Sequence, residues 1–273
     1  MGKGRVNVKT IKKIVFLFLV MSLFPLAVGF VSNRLAPVLH SRAQQFFGED
    51  WQVSLEFWKS GQNLVVFLTI AIIVSLVVIV HKKGFLQRSR FRAPKPKEIF
   101  LALTIGVASA LLLSGVGRFA LRAFPEYADF FQSRFEHIAE HRSLPLIVAL
   151  VVVAPFFEEI LFRGVLFRLF EKEKISLGIA LVFTSFLFAL YHADFFEGAY
   201  AFTLGLIIGL AYIFSKSLWV AMLLHYAHNI AAPFISIDFD FVPFELYTAA
   251  GGLLIIIALS ALYRQNKSMH ISP

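Results

Sequence analysis

Hydrophobic residues fill this chain in long blocks, unlike the one-sided stripes of a helix packed on a soluble core. About eight blocks approach the roughly 20 residues that cross a bilayer as a helix. They lie near residues 12–31, 62–80, 98–117, 146–168, 175–195, 198–214, 218–236 and 247–263. A helix satisfies its backbone hydrogen bonds internally, so each block reads as a spanning helix. The pattern predicts an all-α fold, a polytopic transmembrane helical bundle. Very short links join the fourth to the seventh block, which makes these spans antiparallel neighbours.

Between the blocks the pattern changes. Residues 41–59 and 118–142 mix charges with Phe and Trp at near-helical spacing. They read either as amphipathic helices in the membrane interface or as partly ordered loops. Residues 87–97 read as a flexible basic linker. Gly205 and Gly209 have the small-xxx-small spacing that lets helix backbones approach closely. Three regions are expected: 1–143 with three spans and the interfacial segments, 144–236 with four spans, and 237–273 with the last span and a tail.

Composition sharpens this reading. Of 273 residues, 58% are hydrophobic and 16% charged, against about 45–50% and about 25% in soluble domains. The chain has no cysteine, which excludes disulfides, thiolate metal ligands and a cysteine nucleophile. Its net charge of +9 suggests nucleic acid at first sight, but the basic residues flank the apolar blocks. Membrane orientation explains them better. Lys3, Arg5, Lys9, Lys12 and Lys13 fall on one side, with Lys82, Lys83, Arg88, Arg90, Arg92, Lys95 and Lys97. Arg168, Lys172, Lys174, Lys216, Arg264 and Lys267 join them. Both termini are therefore expected in the cytoplasm. The first block follows a basic start without a small-residue cleavage site, so it reads as an uncleaved anchor. Expected partners are membrane lipids and a membrane-associated peptide, not nucleic acid.

The chemistry is concentrated in three spans. Residues 144–170 read LPLIVALVVVAPFFEEILFRGVLFRLF, with Glu158, Glu159 and Arg163 well inside. A charge at membrane depth costs about 2.5–3.5 kcal/mol on insertion scales, so intramembrane charges default to functional sites. Glu159 and Arg163 stand four apart, the spacing of an intrahelical ion pair. Glu158 points about 100° away and has no such partner, which makes it the candidate general base for water. The fifth span ends in Phe188-Ala-Leu-Tyr-His192, and the seventh contains His225-Tyr-Ala-His-Asn229. His225 and Asn229 share one helical face and can together donate to a developing oxyanion. His228 borders that face and reads as structural. Taken singly, each motif also fits interhelical hydrogen bonding. Taken together, an acid, histidines and an asparagine on neighbouring helices suit hydrolysis of an amide inside the membrane.

E-E-x-x-x-R, F-x-x-x-H and H-x-x-x-N, in that order on successive spans, resemble the CPBP (CAAX protease and bacteriocin-processing, or Abi) family, which includes the type II CAAX prenyl endopeptidases. The resemblance covers residues 144–236. It implies a glutamic intramembrane endopeptidase of a bacterial plasma membrane that works without metal or cofactor. Glu158 would activate water with the help of His192, His225 and Asn229 would form the oxyanion hole, and Glu159 and Arg163 would support the site. Other readings are a zinc protease, a proton-relaying transporter, and a non-enzymatic scaffold or bacteriocin immunity or maturation protein. The chain lacks H-E-x-x-H, and its aspartates lie outside the spans.

One expectation is geometric. At 1.5 Å rise per residue, His192 lies about 16 residues from the inner end of its span, whereas Glu158 and His225 lie roughly 7–10 residues in. Spans of equal depth would offset them by about 10 Å or more. Helix tilt, or a fifth span that starts deeper, would remove the offset.

Overall fold

The computed structural model describes residues 90–125, 147–192, 195–238 and 242–267, with single positions between 34 and 48. The first two predicted spans, residues 87–89 of the linker, all of 49–59 and most of 118–142 lie outside the described residues. The chain divides into two compact units: Met1–Asn7, Gly84–Ala128 and Pro155–Pro273 form one, Val8–Lys83 and Asp129–Ala154 the other. In the second unit, Ala149–Val153 is π-helical. All candidate site residues fall in the first unit.

The first unit is built from helices, the second of which begins one residue outside it. They are α1 (Pro96–Ala123), α2 (Ala154–Glu159), α3 (Arg168–Lys172), α4 (Leu177–Tyr191), α5 (Phe195–Ser215), α6 (Leu218–Asp238) and α7 (Phe244–Lys267). A π-helical segment, Ile160–Phe167, joins α2 to α3. Among the described residues, α1, α5, α6 and α7 are long and apolar enough to cross a membrane, and α4 is a shorter apolar helix. The fourth predicted span is not the regular α-helix that its hydropathy suggested. Its ladder changes near Pro155, which has no N–H to give, and again after Glu159. Segments with π-type i→i+5 bonding are often found at functional sites.

The burial pattern is that of a membrane bundle. Large apolar side chains such as Phe100, Phe119, Ile179, Phe186, Leu253 and Ile256 face outward. Glu98, Glu159, Arg163, His225 and His228 are buried. In water the first set would be a liability, whereas in lipid the second set has to be enclosed.

Small residues set the helix spacing. α1 packs on both α6 and α7. A Cβ at Gly106 would fall 2.6 Å from Ala227 Cβ and against the Leu224 carbonyl, and one at Gly251 would fall 2.6 Å from the Ala108 carbonyl oxygen. Gly205 and Gly209 face Ser185 and Leu181 on α4, so this pair serves the close α4–α5 packing that its spacing predicted. Gly106→Ala should therefore destabilise the protein by about 1–3 kcal/mol, the range for overpacking. Thermal melts in detergent would detect this, and an unchanged midpoint would show that α1 and α6 do not rely on that backbone contact.

Residues 90–97 are not the flexible linker expected from their basic composition. Arg90 pairs with Glu171 at 2.9 Å, and Arg92 pairs with Glu98 at 2.7 Å and donates to the Ser215 carbonyl at 2.8 Å. Ser217 Oγ donates to the Arg92 carbonyl, and Leu218 N–H to the Arg90 carbonyl. Glu98 is fully buried and also accepts from the Lys95 N–H and from Asn266. Arg90 and Arg92 are thus held by carboxylates, one of them on α3 and 81 positions away in sequence.

Candidate active site

The site grows from the α2–π junction. Glu158 and Glu159 close α2, and Arg163 lies four residues on, inside the π segment. Arg163 and Glu159 pair at 3.0 Å with both side chains buried. Arg163 also donates to the Gly205 carbonyl at 2.7 Å, and its guanidinium lies 5.3 Å from the centroid of the Phe188 ring. Gly205 allows this because it has no side chain where α5 meets Ser185 and Phe188. A buried ion pair stabilises only when its remaining hydrogen bonds are also met, and the carbonyl and the ring supply part of that here.

His225 enters from α6. Its Nδ1 stands 2.9 Å from Glu159 Oε1, the same oxygen that accepts from Arg163. An ionised carboxylate only accepts, so Nδ1 carries the ring proton. The other nitrogen, Nε2, faces Glu158 Oε2 at 3.8 Å. That is too long for a hydrogen bond, but the two groups are close enough to act on one substrate atom. Glu159 is fully buried, whereas the Glu158 side chain is 14% exposed. Of the adjacent carboxylates, one is therefore locked in structure and the other is reachable.

His192 caps the C-terminal end of α4. Its Nδ1 donates to the Phe188 carbonyl at 2.8 Å, which leaves Nε2 as the lone-pair nitrogen of the neutral ring. The Phe188 ring is edge-on to both histidines, 4.8 Å from His192 and 5.9 Å from His225 between centroids. It also packs on Phe162, which in turn touches Tyr191. Phe188, one turn before His192, packs against His225, so the C-terminal end of α4 runs alongside the site on α6. Asn229, half-buried, lies one helical turn beyond His225 on α6.

The structure brings Glu158, Glu159, Arg163 and His225 together directly, and His192 through Phe188. Asn229 shares the His225 face by helical spacing. His228 makes its own contacts, with Ser109 and Tyr200. Sequence reasoning gave no role to Phe188 or to the Gly205 carbonyl. Phe188 opens the F-x-x-x-H motif and could have been singled out, whereas a backbone acceptor leaves no trace in residue identity. Among the described residues, no three His, Asp or Glu side chains converge as metal ligands.

Comparison with known proteins bears on the same stretch of the chain. The family model for type II CAAX prenyl endopeptidase Rce1-like proteins matches residues 140–231, which hold every candidate residue. The membrane-embedded CAAX protease MroQ of Staphylococcus aureus (strain USA300) is 29% identical over 173 residues, 61% of this chain and 70% of that protein. No solved structure matches. With its three motifs on successive apolar helices and this match across them, the chain is similar over residues 140–231 to the CPBP, or CAAX protease, family of membrane proteins.

Proposed function

We propose that this protein is an intramembrane endopeptidase that cleaves a membrane-associated peptide with water activated by Glu158 and His192. The observation that carries the reading is the split between two adjacent carboxylates: Glu159 is consumed by Arg163 and His225, while Glu158 faces His225 Nε2 and stays reachable. Glu158 takes a proton from water, and the lone pair on His192 Nε2 helps to hold that water. The hydroxide adds to the scissile carbonyl carbon. Its oxygen becomes an oxyanion that accepts from Asn229 and from His225. For that role His225 needs protons on both nitrogens, with Nδ1–H on Glu159 and Nε2–H on the oxyanion. The positive ring then lies between the two carboxylates and beside the developing negative charge. Collapse of the intermediate breaks the C–N bond, and Glu158 returns its proton to the leaving amine.

The relatives supply the substrate class to try first, a peptide ending in a prenylated CAAX motif. The flanking basic residues support placing those segments in the cytoplasm, and the Staphylococcus aureus relative supports a bacterial plasma membrane. No metal or cofactor is needed for this chemistry, and lipid and the peptide are the partners. The direct test is incubation of the purified full chain, in lipid nanodiscs, with a quenched farnesylated peptide, followed by mass spectrometry of the products. Cleavage at one peptide bond supports the reading, and an intact peptide counts against this substrate class. Asn229→Ala should lower kcat by about 100- to 1,000-fold, the loss typical of one oxyanion donor. A kcat within a few-fold of wild type would remove Asn229 from the oxyanion hole.

A further inference from the structure

A second polar cluster is buried beside the site and takes no part in the proposed chemistry. His228 is 2% exposed, and both of its ring nitrogens are engaged: Nδ1 lies 2.8 Å from Ser109 Oγ on α1, and Nε2 lies 2.7 Å from the Tyr200 hydroxyl on α5. Ser109 gives its own proton to the Gly106 carbonyl at 2.7 Å. Its oxygen therefore accepts from His228, which places the ring proton on Nδ1 and makes Tyr200 the donor to Nε2. The bonds run in one direction, Tyr200 to His228 to Ser109 to Gly106, and cross three helices. The same stretch of α6 is pressed against Gly106 through Leu224, Ala227 and the His228 backbone.

Placement gives this cluster a consequence. His228 precedes Asn229 and follows His225 by three residues. Packing alone limits how far α6 can slide, but directional hydrogen bonds from two sides of one ring also limit its rotation. A turn of about 10° about the axis moves a side-chain tip, roughly 5–6 Å out, by about 1 Å. A misplacement of about 1 Å can cost on the order of 100-fold in rate.

We propose that His228 is a positioning residue: bolted by Ser109 and Tyr200 as the Nδ1–H tautomer, it sets the rotation of α6 and so the aim of His225 and Asn229. The proposal rests on the proteolytic reading for its purpose, but not for its geometry. Its test has two arms. In the first, the full chain labelled with ¹⁵N-histidine is examined by NMR in detergent at pH 7. His228 should show the Nδ1–H tautomer, and Tyr200→Phe and Ser109→Ala should each shift the His225 ring resonances. In the second, the same variants act on the quenched farnesylated peptide. Each should lose kcat by roughly 10-fold with KM within about twofold. An Nε2–H tautomer at His228, or unmoved His225 resonances together with wild-type kcat in both folded variants, overturns the assignment. Should Glu158→Gln cleave the peptide as fast as wild type, the proteolytic reading through Glu158 fails, and the spectra still decide the role of His228.

Discussion

Glu158→Gln should abolish cleavage, lowering kcat by at least about 100- to 10,000-fold, the contribution of a positioned general base. The amide keeps the size and polarity of the carboxylate but cannot take a proton from water. The fold should survive, because no helix-to-helix hydrogen bond among the described residues depends on Glu158: its closest partner there is His225 Nε2, at 3.8 Å. Detergent melts should therefore match wild type within a few degrees while product formation disappears. The neighbouring carboxylate behaves differently. Glu159→Gln weakens a charged acceptor shared by Arg163 and His225, so both stability and activity should fall. A Glu158→Gln protein that still cleaves would remove this residue from the chemistry.

The second large effect concerns Arg163. Arg163→Met leaves the Glu159 carboxylate fully buried without its cation, and the Gly205 carbonyl without its donor. Breaking one side of a buried pair costs about 3–5 kcal/mol, among the largest single-residue effects available in this unit. The companion experiment is Arg163→Met with Glu159→Leu. Removing both charges abolishes the desolvation cost, so much of the stability should return. Activity should not return, because His225 has lost the acceptor that orients it. Thermal melts and turnover on the same preparations separate the two. Full stability in the single variant would show that the pair is not buried as described.

The contrast between these residues indicates what the sequence could reveal. Apolar blocks announced α1, α5, α6 and α7, and the i, i+4 rule paired Glu159 with Arg163. The same rule put His225 and Asn229 on one face. Both are local properties of a single helix, so one chain suffices to read them. What failed was relational. The contact of Phe188 with both His192 and His225 depends on how α4 lies against α6, and span lengths do not record that. The π segment after Glu159 depends on which carbonyls the backbone N–H groups reach, and hydropathy does not record that. Arg90 and Arg92 looked solvated because Glu171 and Ser215 are remote in sequence and adjacent only after folding. The Gly205 carbonyl was invisible for a different reason, since every residue has one and only the approach of α5 decides which is used.

The proposed mechanism requires Glu158, His192, His225 and Asn229 to act on one peptide bond at one hydrated point. The decisive measurement is an experimental structure of the Glu158→Gln protein in lipid with an uncleaved peptide bound. The scissile carbonyl oxygen should then lie about 2.7–3.1 Å from His225 Nε2 and from the Asn229 amide. A water should sit on the open face of the carbonyl carbon, between His192 and the amide that replaces the Glu158 carboxylate. A peptide seated elsewhere, or a scissile carbonyl turned away from α6, would contradict the mechanism.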